Sequence, residues 1–493
     1  MKLFRNKALI YTIGSLMNSS VSFLLLPFFV KNLSTEDYGS WVLIETVIIL
    51  FSIIFMVGLD VAMVKISYNS PVEQRPVIVK SVFLTLLSSI VFMLLILQPY
   101  ILFSPKEFVF LKLSSGFLEL IIFIIISELI SLFLLAYFRL QDEAVSFSLF
   151  SVIKVLSTLS SMVMIVLLFV SGLEGAIIGR TIGNLIVLLS ALWKLIPIIF
   201  NKHTLSKSVI KEALVYGYPL ILNNISMQIV LLSDRFFIKS FHGAYEVGLY
   251  SLAYKIAAIF DVVFIRPFGT IWGTYRFKLA TYKNAKELYS SIILLFIFMG
   301  SFLTVLLTIN SRELILIIST KEYLVAATAF NIIVVSYFVY ALTYPVNIGL
   351  MLESKTKVYA TLTLVSGICN LAMNLILISL YGINGAAFAT LSSYLIWLIL
   401  IYLYSQKYYL IKVKFKKVIL TIFFSTINFS GLSYIEMPNP YLSILFKTII
   451  CTISFFLFYL IVIRQEYSYF KLQAKGAEQH ETKDSRDIRV VSK

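Results

Sequence analysis

Between residues 8 and 463 the chain is a succession of continuous apolar runs separated by short polar connections. A helix crosses the hydrocarbon core of a bilayer with roughly 20 mainly apolar residues. Because the runs are continuous rather than alternating, they point to helices and not to barrel strands. Spans are expected at 8–30, 41–64, 78–103, 113–137, 144–170, 176–199, 213–238, 247–273, 289–309, 323–350, 358–381, 384–405, 416–435 and 442–463. Composition agrees: 59% of residues are hydrophobic and 13% charged, whereas soluble domains carry about 25% charge. The fold class expected is all-α integral membrane, with about 14 transmembrane helices.

The net charge of +16 would suggest nucleic acid in a soluble protein. Here it reads as topology. With the N-terminus in the cytoplasm, 28 of the 41 Lys and Arg fall in or beside cytoplasmic segments, 6 in external loops and 7 inside helices. Cytoplasmic loops are enriched in these residues in membrane proteins generally. A multi-pass membrane protein with both termini cytoplasmic follows, and nucleic acid is not an expected partner. The polar stretch 464–493 is expected to be a disordered cytoplasmic tail. Cys369 and Cys451 lie within apolar runs without metal-ligand spacing and are expected to pack. The N-terminal run lacks a small-residue cleavage site and is taken as a retained helix.

An internal repeat emerges at an offset of about 210 residues. SGLEGA at 171–176 falls on YGINGA at 381–386, matching Gly172 with Gly382 and Gly175 with Gly385. TEDYGSWVL at 35–43 falls on AYEVGLYSL at 244–252, matching Gly39 with Gly248. Each copy holds six helices, an even number, so both keep one orientation. The expected division is a six-helix bundle at 1–206, a second at 207–410 related by a pseudo-two-fold, two additional helices at 411–463, and the tail. Alternating access by rocking of one bundle against the other suits such a design.

The stretch YGYPLILNNISMQIVLLSDRFFIKSFHGAYEVGLYSLAYK, residues 216–255, carries a family resemblance. Its Gly-x-Pro, its Ser-Asp-Arg-Phe-Phe-Ile and its Val-Gly-x-Tyr-x-x-Ala-Tyr-Lys resemble the seventh and eighth helices of the Wzx-type polysaccharide flippases. These belong to the multidrug/oligosaccharidyl-lipid/polysaccharide (MOP) exporter superfamily. LPFFVKNLSTEDYGSW near the N-terminus is similar to that family as well. The resemblance implies a protein that moves an undecaprenyl-diphosphate-linked oligosaccharide across the plasma membrane for O-antigen, capsule or exopolysaccharide assembly. It implies membrane lipid, a polysaccharide polymerase and chain-length proteins as partners. No cofactor and no ATPase domain are expected, and the chain has no Gly-x-x-x-x-Gly-Lys-[Ser/Thr] loop.

Ionisable residues within spans are costly and are functional candidates by default. Lys154 lies about ten residues into its helix, roughly 15 Å deep, on a stripe with Ser151, Thr158 and Ser161. It reads as a cavity cation for the diphosphate, or as the structural partner of an acid such as Glu128. Arg180 and Arg235 offer planar forks for phosphate oxygens. For Arg235, pairing with Asp234 is the alternative. Lys255 and Arg266 share one helix face, and Glu45 and Asp60 occupy similar depths in the repeat counterpart. Two alternating locks are conceivable, Glu45 with Lys255 and Asp60 with Arg266, against permanent pairing or snorkelling. Asn370 and Asn374 form a stripe that either lines a cavity wall against glycan or hydrogen-bonds between helices. Sodium or proton coupling would run through Asp261 or Glu128.

Two rivals stand beside the flippase. A cation-coupled drug antiporter of the same superfamily would want carboxylates in its cavity. The in-span cations here, Lys154, Arg180, Lys194, Arg235, Lys255, Arg266 and Lys447, lean toward an anionic cargo. A membrane glycosyltransferase or ligase would need a sizeable catalytic loop, and none is evident, so the chain is not read as an enzyme. The lock hypothesis makes a prediction. Transport lost on Glu45→Lys or Lys255→Glu alone returns in the double swap, measured as surface glycan, and a double swap without rescue removes the lock.

Overall fold

The computed structural model describes residues 26–103, 107–108, 113–202 and 204–468. The expected helix 8–30 therefore lies outside the described residues except for its last turns, and so does the tail from 469 onward. The helices are α1 (Leu26–Asn32), α2 (Thr35–Met56), α3 (Leu59–Asn69), α4 (Arg75–Phe103), α5 (Ser115–Leu140), α6 (Ala144–Leu168), α7 (Gly172–Ile199), α8 (Lys207–His242) and α9 (Ala244–Ala257). They continue with α10 (Arg266–Ala280), α11 (Ala285–Ile309), α12 (Ser311–Ile318), α13 (Ala327–Val346), α14 (Ile348–Leu352), α15 (Thr356–Tyr408), α16 (Phe415–Ser433) and α17 (Pro440–Phe458). One two-residue antiparallel pair, Glu107–Phe108 with Leu113–Ser114, interrupts this all-α order.

Among the described residues eleven helical segments are long and apolar enough to cross a membrane. The expected fourteen resolve against them as follows. The first helix is not described. The helix expected at 213–238 sits inside α8, which is not among the eleven. The helices expected at 358–381 and 384–405 form the single segment α15 of 53 residues. A helix of that length would reach about 80 Å at 1.5 Å per residue, more than twice a bilayer core. Gly382 breaks it with φ 55° and ψ −133°. Beyond the break the two halves fold back on each other, since Ser366 Oγ donates to the Ser393 carbonyl at 2.9 Å. At the C-terminal end, helix continues through Ser468, so residues 464–468 are ordered rather than part of a disordered tail.

The repeat seen in the sequence has the same backbone chemistry in both copies. Gly172 adopts φ 75° and Gly382 φ 55°, a left-handed turn that residues with a Cβ rarely adopt. Three residues on, a Cβ at Gly175 would lie 1.7 Å from the Val170 carbonyl oxygen, and one at Gly385 1.9 Å from that of Leu377. Each motif thus reverses the chain between two antiparallel helices with the backbones in contact.

The chain divides into two compact units, residues 1–236 with 243–248, and residues 237–242 with 249–493. In the first, Ser34 caps α2 by accepting from Asp37 N–H at 3.1 Å. The left-handed pair Val57 and Gly58 ends α2 and turns the chain into α3. Gly179 and Gly183, one turn apart on α7, seat that helix on α6: a Cβ at either would come within 2.6 or 2.5 Å of the Met162 or Thr158 Cα. Small residues at this spacing let membrane helices approach closely, where dispersion does the work that water does elsewhere. In the second unit, aromatic rings fill the space between helices, with Phe268 against Trp272 and Phe296, and Phe424 stacked on Phe458 at 4.3 Å. Large apolar side chains such as Leu95, Trp193 and Ile461 remain exposed, as lipid-facing residues should. The α6–α7 seam yields a prediction. Gly183→Ala costs about 1–3 kcal/mol through overpacking, lowering the melting temperature in detergent, whereas Gly431→Ala, with open space around it, leaves it unchanged or raises it.

Candidate functional site

Charged residues embedded in the first unit meet across four helices. Lys154 on α6 donates from Nζ to Glu128 Oε1 on α5 at 2.7 Å. Arg180 on α7 donates from Nη1 to Glu45 Oε1 on α2 at 3.0 Å. Arg180 also acts on Glu128 through its charge and stands over the Trp41 ring, 5.4 Å from its centroid. The seam at Gly179 and Gly183 explains the approach: Arg180 follows Gly179 directly, and Thr158 under Gly183 is one turn from Lys154. Two cations and two carboxylates form a quartet of zero formal charge. Their side chains keep between 18% and 30% exposure, so the group is shielded yet reachable. Arg180 Nε is buried and has no hydrogen-bond partner among the described residues, leaving one donor of the fork available.

The hydroxyl stripe beside Lys154 is mostly satisfied by its own helix. Thr158 Oγ1 donates to the Lys154 carbonyl, and Ser151 Oγ to that of Phe147 at 2.8 Å. Lys154 thus sits with an acid, as the structural reading of it anticipated. Glu45 is held by Arg180, a partner the sequence reading did not pair with it.

Other candidates are placed separately. Arg235 on α8 is buried with Asp234, Nη1 to Oδ1 at 3.3 Å, and also donates to the Leu231 carbonyl at 3.1 Å. Asp60, in the first turn of α3, is half-buried. In the second unit, Arg266 Nε donates to Asp261 Oδ2 at 2.7 Å across a widened turn, Asp261–Ile265, that joins α9 to α10. Arg266 remains 65% exposed. Lys255 is half-buried at the end of α9. Asn370 and Asn374 are buried between the halves of α15: Asn374 Nδ2 donates to Asn370 Oδ1 at 3.1 Å, and Asn370 Nδ2 to Ser393 Oγ at 3.2 Å. That is the interhelical hydrogen-bonding arrangement.

Sequence reasoning missed Glu313. It lies on α12, between spans, and its Oε1 accepts from Lys447 Nζ at 2.5 Å and from Ser443 Oγ at 2.6 Å. Burial works against its charge, but the Lys447 and Ser443 hydrogen bonds outweigh burial and hold the carboxyl below its ordinary range. The signal was available, because a buried lysine in α17 requires an acid within reach. Among the described residues no group of three or more His, Cys, Asp or Glu could hold a metal ion.

A family model described as polysaccharide biosynthesis protein matches residues 4–272. The fold is similar to that of the lipid II flippase MurJ in an inward closed conformation. The TM-score is 0.74 at 16% identity, covering 93% of this chain and 99% of that one. An inward-facing multidrug-resistance MATE-family transporter of the MOP superfamily is similar with TM-score 0.58 at 14% identity, over 79% of this chain and 94% of that one. An outward-facing one reaches 0.53 at 14%, over 81% and 95%. No curated protein matches the sequence significantly.

The quartet makes a prediction about stability. Lys154→Met leaves Glu128 shielded without its cation and destabilises by about 3 kcal/mol or less, given the partial exposure. Adding Glu128→Gln restores most of the loss. Thermal unfolding in detergent measures both, and a double variant no more stable than the single one contradicts the pairing.

Proposed function

Because the chain belongs to the polysaccharide biosynthesis protein family, we propose that it is a flippase for an undecaprenyl-diphosphate-linked oligosaccharide, working by alternating access in the bacterial inner membrane. The observation that carries this reading is the neutral quartet Glu45, Arg180, Glu128 and Lys154 inside an apolar bundle. A diphosphate group carries its own negative charge. On arrival it competes with Glu45 and Glu128 for Arg180 and Lys154, and the planar Arg fork suits two phosphate oxygens. When the diphosphate departs, the carboxylates take the cations back. With the head absent no embedded charge is left bare, which matters where desolvation of a lone ion costs several kcal/mol. With it bound, Glu45 and Glu128 give up their cations and need a proton or another cation in exchange. The lipid tail stays in the bilayer and only the polar head needs this path.

The orientation with both termini cytoplasmic, the hand-over to a polymerase and chain-length proteins, and the use of sodium or protons belong to the same proposal. Protonation of Glu128, or ion binding at Asp261, would bias the quartet or the α9–α10 turn. The likeness to MATE-family folds keeps a cation-coupled antiporter as the second reading, for which the same carboxylates would face a cationic compound.

Deleting the gene and complementing it separates the two. The flippase reading expects undecaprenyl-linked oligosaccharide to accumulate on the cytoplasmic side. It expects a well-expressed Lys154→Ala, Arg180→Ala copy to leave that accumulation at least about tenfold above the wild-type copy, since each charge-assisted contact is worth about 1.5–3 kcal/mol. Sensitivity to cationic compounds without lipid accumulation favours the antiporter instead.

A further inference from the structure

The second unit contains a cavity of ≈ 870 Å³ at the lysine-rich ends of its helices, remote in sequence from the quartet. Its wall combines the start of α11 with Lys286 and Ser290, the α15–α16 connection with Lys412 and Lys414, and the end of the last span with Glu466. Lys286 is in the first turn of α11 and Lys414 is the N-cap of α16. Two long helices thus present their positive ends to the same space.

The charges there do not cancel. Glu466 is fully engaged: Oε1 accepts from Lys417 at 3.0 Å, and Oε2 accepts from Lys414 and, at 3.3 Å, from Ser291 Oγ. Lys286 lies over the Tyr409 ring at 5.2 Å, and Lys412 is exposed. Neither makes an ion pair among the described residues. Glu287 also lines the cavity and has an interaction of its own. Three lysines of the wall, Lys286, Lys412 and Lys414, therefore face two carboxylates, Glu287 and Glu466, and Lys417 adds a second cation to Glu466 from beside the wall. The surplus is positive, and Lys286 and Lys412 are the wall lysines without an ion pair among the described residues.

We propose that this cavity binds a phosphate group, and that the group is the headgroup of an anionic phospholipid. The apolar surroundings favour lipid over a free anion. Phe415, next to Lys414, is 54% exposed, and Ile461, about one turn before Gln465 of the wall, is 80% exposed. Acyl chains can lie on these side chains while the phosphate meets Lys286 and Lys412. Basic pockets between membrane helices take headgroups in this way. The site is independent of the transport reading.

The test uses the full-length protein in phosphatidylcholine nanodiscs, titrated with phosphatidylglycerol and read by native mass spectrometry and thermal unfolding. The wild type retains phosphatidylglycerol in preference to phosphatidylcholine and unfolds at a higher temperature with it. The Lys286→Gln, Lys412→Gln variant loses about tenfold or more in apparent affinity, and Lys286→Arg, Lys412→Arg keeps it. A charge-matched control, Lys202→Gln, Lys207→Gln in the first unit, also keeps it. Should the double variant elute as aggregate, Lys412→Gln alone, at an exposed position, serves in its place with a partial loss. Equal binding by wild type and variant overturns the site. An equal loss in the control overturns it too, by assigning the effect to general charge. Stabilisation reproduced by millimolar inorganic phosphate, with displacement of the lipid, overturns the headgroup assignment in favour of a free anion.

Discussion

Hydrocarbon gives no hydrogen bonds, and every charge or polar backbone group placed in it must find its partner inside the protein. That constraint organises the structure more than any single contact. It accounts for the helices, whose backbones satisfy themselves. It accounts for the serine and threonine hydroxyls that donate to carbonyls one turn back, as at Ser151 and Thr158. And it accounts for the pairing of embedded ions: Lys154 with Glu128, Arg180 with Glu45, Lys447 with Glu313. Lys447 is the extreme case, 2% exposed and also donating to the Ile309 carbonyl.

Close backbone approach is the second requirement, because lipid tails are as apolar as leucine and provide no hydrophobic drive between helices. Glycine meets it. The paired motifs at Gly172 and Gly175, and at Gly382 and Gly385, reverse the chain in the same manner in both copies of the repeat. Gly179 and Gly183 then place Arg180 beside the α5–α6 pair. A site built from four helices thus depends on where a few residues lack a Cβ.

Among the described residues most spans were legible in the sequence, because continuous apolar runs carry the helix positions to within a few residues at most ends. The repeat was legible too, since its glycines serve a backbone need that leaves little choice of residue. Which cation meets which acid was less so. Lys154 with Glu128 was foreseen as one alternative, but Glu45 with Arg180 was not, because residues 135 apart in sequence are joined only by helix packing. Glu313 escaped notice for a related reason: it sits between spans, and its importance comes from Lys447, which is 134 residues away. The asparagine stripe at 370 and 374 illustrates the ambiguity of a polar face, which reads alike whether it lines a cavity or bonds to the next helix.

The balance of the quartet has an electrical meaning. A cell membrane sustains a field in which each elementary charge moved across 100 mV involves about 2.3 kcal/mol. A bundle whose embedded cations and anions cancel locally carries no net charge when it tilts. The resting potential then does no work on that group of residues, and any voltage dependence of the cycle enters through the charge of what is carried and of the ions that accompany it.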